Sequence, residues 1–148
     1  MAKPHKHAGL RLLVTTSLAD ADIARLAKQA AAGVTVKVPQ WSSVRLEKAE
    51  PGFLVFSVRG PGGLAELMEF ALEAVTDSGA TKMRSTITRY KQSQSTFAGV
   101  IPTGPKKLSG LATYRKWIQN FTAALREADP SAAIDVNGPL TASVGEYL

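Results

Sequence analysis

Residues 53–58 read Phe-Leu-Val-Phe-Ser-Val, with apolar side chains at odd and even positions alike. An extended strand sends alternate side chains to opposite faces, so a segment apolar on both sides needs cover above and below. This run predicts a central strand, and the rest of the chain must supply a sheet around it and something packed against that sheet. At 148 residues the chain is long enough for one such core and short for two.

The flanking segments read in the same way. GLRLLVTTS (9–17) predicts a strand, with Leu10, Leu12 and Val14 on one face. SLADADIARLAKQAAAG (17–33) predicts a helix: its two Asp residues suit the positive end of the helix dipole, and Gly33 suits its stop. Residues 34–52 predict extended chain, interrupted at Pro39 and closed by a turn at AEPG (49–52). In PGGLAELMEFALEAVTDSG (61–79), Leu64, Leu67, Met68, Ala71, Leu72 and Val75 recur at helical spacing. Glu66, Glu69, Glu73 and Asp77 follow at steps of 3, 4 and 4, so the segment predicts a second helix with an acidic ridge. TKMRSTITRYK (81–91) predicts another strand. A glycine- and proline-bearing loop (92–107) leads to a third predicted helix from Ser109 to Ala128, and AAIDVNG predicts a short fifth strand.

The element order β-α-β-β-α-β resembles the ferredoxin-like pattern, an antiparallel sheet with two helices on one face. The expected fold is therefore α+β: a ferredoxin-like sandwich with an added C-terminal helix and a short fifth strand. Its domain runs over 9–138, between an N-terminal tail (1–8) and a loosely held C-terminal tail (139–148). The third helix is expected to cover the second face of the sheet; a second copy of the chain is the other candidate for that cover.

The charge map is lopsided. Residues 61–80 hold four acids and no base; residues 81–120 hold eight bases and no acid. The chain as a whole carries a formal charge of +6. Such asymmetry points to an anionic partner, and the basic stretch names the candidates: Lys82, Arg84, Arg89, Lys91, Lys106, Lys107, Arg115 and Lys116. A second candidate is a phosphate loop at Arg59, Gly60, Gly62 and Gly63, where backbone N–H groups at the start of the predicted helix would face an anion.

Other chemistry finds little support. There is no cysteine, and the only histidines are His5 and His7, so no thiolate site and no serine–histidine–acid set is indicated. The strands lack the paired exposed aromatics that stack RNA bases on an open sheet. No cofactor and no metal site are implied. No stretch reads as a signal peptide or a membrane span, and the expected location is the cytoplasm. The leading expectation is a small non-enzymatic binding module that engages a polyanion, above all nucleic acid, through 82–116. The alternatives are a homo-oligomeric assembly domain (a homodimer in its simplest form) and a nucleotide-phosphate site at Gly60–Gly63.

Overall fold

The computed structural model describes residues 9–34, 43–60, 65–93, 96–97, 101–102, 107–108 and 110–136. Its centre is a six-stranded antiparallel sheet. The strands are β1 (Arg11–Thr16), β2 (Ser43–Glu50), β3 (Phe53–Arg59), β4 (Glu66–Asp77), β5 (Ala80–Tyr90) and, at the end of the chain, β10 (Ala133–Val136). They lie in the order β10-β1-β5-β4-β3-β2. Two helices accompany them, α1 (Asp20–Ala32) and α2 (Leu111–Ala128). Between β5 and α2, two short ladders form: β6 (Gln92–Ser93) pairs with β9 (Lys107–Leu108), and β7 (Thr96–Phe97) pairs with β8 (Ile101–Pro102).

This overturns the ferredoxin-like expectation. Residues 66–77, read above as a helix, are a strand in a four-strand meander running from β2 to β5. The misreading has a physical source. A step of four residues returns to one face of a helix, but it also returns to one face of a strand. Glu69, Glu73 and Asp77 therefore share a sheet face as readily as a helix face. The odd step from Glu66 to Glu69 is absorbed by a register shift: Met68 pairs with Val58, yet Glu66 pairs with Arg59. Phe70 separates the two readings, because it falls outside the helical stripe but alternates with Met68, Leu72 and Ala74 on the inner face. All four are buried. Burial of that alternating set between β3 and β5 outweighs the helix preference of a Glu-, Leu-, Met- and Ala-rich segment.

Both helices pack on one face of the sheet, which corrects the expectation that the C-terminal helix covers the other. The inner side chains Leu12, Val14, Leu54, Phe56, Val58, Met68, Phe70, Leu72 and Met83 join Ile23, Leu26, Trp117, Ile118, Phe121 and Leu125 in one core. Trp117 is its hub. Its ring lies 4.7 Å from Phe70, 5.0 Å from Phe121 and 5.7 Å from Phe56, centroid to centroid. Its indole N–H donates to the Ala27 carbonyl at 3.2 Å, so the one polar atom of the ring is satisfied in the interior. Ala27, Ala30 and Ala31 line the buried side of α1, and their small size lets α2 approach closely enough for that bond.

A second tie holds the end of α2. Asp129 follows the helix, and its carboxylate accepts from the Thr16 hydroxyl at 2.6 Å, the Ser17 N–H at 3.1 Å and the Ser131 hydroxyl at 2.7 Å. These bonds join the close of α2 to the junction of β1 and α1. Thr16 donates first among them, followed by Ser131 and the Ser17 N–H; together they hold the carboxyl well below the usual carboxylate range. Beyond Asp129 the chain turns back as β10, which pairs with the free edge of β1: Leu12 faces Val136 and Val14 faces Ile134.

Candidate nucleic-acid interface

No described helix packs on the face of the sheet opposite α1 and α2, where Val55, Ser57 and Ala71 are nonetheless buried, and that face carries charge in ordered rows. Antiparallel register sets Glu73 beside Arg84 and Glu69 beside Arg89. The acidic segment and the basic segment that follow one another in sequence are neighbouring strands in space. Their charges meet inside one molecule: Arg84 lies 2.9 Å from Glu73, and Arg89 lies 2.8 Å from Glu66 and 2.9 Å from Glu69. The pairs extend into a chain across four strands. Arg45 meets Glu47 at 3.0 Å, Glu47 meets Arg59 at 2.7 Å, and Arg59 lies 3.9 Å from Glu66, which in turn meets Arg89. Glu47 is the best-held acid in this row of ion pairs. The Ser57 hydroxyl, then Arg45 and Arg59, donate to it and lower its carboxyl to about 2.

These placements sort the basic candidates. Arg84 and Arg89 are exposed but already face carboxylates. Arg115 is 1% exposed, within the buried side of α2. It stands four residues after Leu111 and three before Ile118, both buried, so the helical period draws it inward. Lys82 is exposed on β5, opposite Thr15 and Val75. Lys116 is exposed on α2, one residue from Trp117 in sequence but on the other side of the helix. Lys91 is exposed just past β5, its N–H bonded to the Leu67 carbonyl at 3.0 Å. Lys107 belongs to β9, where it pairs with Ser93, so the ladder brings its backbone back to within two residues of Lys91. Lys106 is the residue before it in the chain and lies outside the described residues.

The phosphate-loop candidate meets a different local structure. The segment after Gly60 leads into a strand, so no helix N-terminus is present to offer its N–H groups. The Gly60 N–H donates to Ala65 O at 2.9 Å. Arg59 donates to Ser57 and to Glu47. Gly62 and Gly63 lie outside the described residues.

Sequence reading missed the cross-strand ion pairs, because pairing depends on which strands are neighbours. The spacing of Glu69 and Glu73 against Arg84 and Arg89 carried part of the signal: Glu73 and Arg84 lie equally far from a turn at 78–79, while the step of four against a step of five is absorbed by a register shift between Glu69 and Phe70. It also missed Asp129, whose partners Thr16 and Ser17 are more than 100 residues away in sequence. Among the described residues, no group of three or more His, Cys, Asp or Glu is arranged to hold a metal ion. No helix among them is long and apolar enough to cross a membrane. No family model, curated protein or solved structure matches this chain.

Proposed function

We propose that this chain is a small binding domain that engages nucleic acid through the lysines at the far end of β5 and along the β6–β9 ladder. The observation that carries this reading is a contrast. Arg84 and Arg89 spend their charge on Glu66, Glu69 and Glu73, whereas Lys91, Lys106 and Lys107 sit in a stretch with no acid of its own. The β6–β9 pairing draws the two ends of that stretch together. Lys91 and the backbone at Lys107, with Lys106 its neighbour in sequence, thus offer cationic charge suited to phosphate oxygens, which set position and affinity more than sequence choice. Lys82 and Lys116 add exposed charge elsewhere on the surface.

The test is fluorescence anisotropy with labelled duplex DNA and single-stranded RNA across a salt series. Three phosphate contacts give a logarithmic salt slope of about −2.7 on duplex, or about a 40-fold loss of affinity between roughly 50 and 200 mM salt. Changing Lys91, Lys106 and Lys107 to Glu should abolish that slope, while Arg84→Ala should leave it nearly unchanged. An absence of binding at low salt would refute the proposal, as would binding that survives the triple change.

A further inference from the structure

We propose that two copies of this chain join edge to edge through β2, antiparallel, to make one sheet continuous across both. Among the described residues β2 ends the six-stranded sheet and has no strand beyond it. Its length of 8 residues makes it a long edge, with a row of backbone donors and acceptors turned outward. Edges of this kind are ordinarily blunted by charged side chains, above all lysine, or by a bulge, and β2 carries both. Here the charges alternate in sign and pair within one copy, Arg45 with Glu47 at 3.0 Å and Lys48 with Glu50 at 3.3 Å, so a joint would exchange these exposed pairs for pairs between copies, and the bulge brings them into line.

The self-complementary stretch of β2 is Arg45-Leu46-Glu47-Lys48-Ala49-Glu50. Set antiparallel against a second copy of itself, Arg45 meets Glu50, Leu46 meets Ala49, and Glu47 meets Lys48. Every charged pair is opposite in sign, and the one apolar pair is apolar on both sides. In a regular strand this register would fail, because residues five apart point to opposite faces. The bulge removes the obstacle. Register with β3 shifts between Leu46 and Lys48, so Arg45 lies opposite Ser57, Lys48 opposite Val55 and Glu50 opposite Phe53, all on the face away from the helices. Glu47 reaches Ser57 and Arg59 on that face too. Leu46 pairs with Phe56 and Ala49 with Leu54, both on the helix side. The self-pairing register therefore keeps each residue on the face of its partner. It also covers Leu46, which at 37% is one of two large hydrophobic side chains exposed among the described residues.

A joint of one strand pair is small, in the class below about 1,200 Å² that gives weak association, so the dimer is expected in a concentration series reaching about 100 µM. The experiment is sedimentation equilibrium without nucleic acid, with circular dichroism to show that each variant folds. Wild type should move from a 15.7 kDa species toward twice that mass as concentration rises. Arg45→Glu alone and Glu50→Arg alone each set like charges opposite one another twice, and each should sediment as a monomer at least tenfold higher in concentration. Mixed together they restore two opposite pairs, and the mixture should form the heterodimer. A wild type that stays monomeric throughout would overturn the proposal, and so would a dimer indifferent to both substitutions.

Discussion

Two glycines with nearly the same backbone angle provide a controlled test of the packing. Gly52 sits in the turn between β2 and β3 at φ = 73°, and Gly79 sits in the turn between β4 and β5 at φ = 81°. An alanine at either position carries the same backbone strain, about 1 kcal/mol after the stiffer unfolded chain is allowed for. Their surroundings differ. A Cβ at residue 79 would meet nothing within 4 Å, whereas at residue 52 it would lie 2.7 Å from the Ala74 carbonyl oxygen. That oxygen belongs to the same residue whose N–H donates to the Gly52 carbonyl at 2.9 Å, so the two chains cannot part without lengthening a hydrogen bond. Relief of the overlap plus a weakened bond adds about 1–3 kcal/mol. Gly79→Ala should therefore cost about 1 kcal/mol and Gly52→Ala about 2–4 kcal/mol, a difference of several degrees in Tm for a chain of this size. Urea unfolding followed by circular dichroism measures both. Equal midpoints for the two variants would refute the claim that the β2–β3 turn is pressed against β4.

Two more perturbations follow from the interior. Asp129 has its ionised form favoured by folding, so it contributes stability above its unfolded titration range that is lost as pH falls through and below that range; Asp129→Asn should flatten the acid limb of a stability–pH curve measured by urea midpoints, and an unchanged limb would count against the tie between α2 and β1. Trp117→Ala should destabilise by about 3–5 kcal/mol because the ring touches three aromatic neighbours in a closed core, while Trp117→Phe should cost less, as judged by chemical denaturation.

The local elements were the legible part of the chain. Asp20 and Asp22 before Ile23 and Leu26 marked α1, and Tyr114, Trp117, Ile118 and Phe121 marked α2. The FLVFSV run lies between β2 and β4 inside the sheet, as a central strand should, but among the described residues the helices cover only its Leu54, Phe56 and Val58 face. The segment 66–77 was not legible by spacing alone, since fours fit two geometries, and Phe70 was the residue that could have decided it. One wrong element then misplaced the rest: a helix there leaves the acidic ridge away from the sheet and the basic strand without partners. The charge asymmetry was real in the sequence, but its meaning depended on β4 and β5 being neighbours. Arg115 shows the same limit at the scale of one residue, because counted as a base it suggests a surface, and counted in helical phase with Leu111 and Ile118 it belongs inside.

The place of β1 has a consequence for how the molecule is made. β1 lies between β5 and β10, so it can join the sheet only after residues 80–90 exist, and gains its second neighbour only after residues 133–136. The meander from β2 to β5 needs no such delay, since each of its strands pairs with the next one in sequence and such local contacts close early. β1 thus stays unpaired while residues 17–79 are made, and its second edge stays open until residues 133–136 follow, beside a hydrophobic layer that α2 covers only after residues 111–128. β1 is the keystone of the sheet, made before both of the strands it joins, and the chain's exposure to misassembly is governed by how long that strand waits.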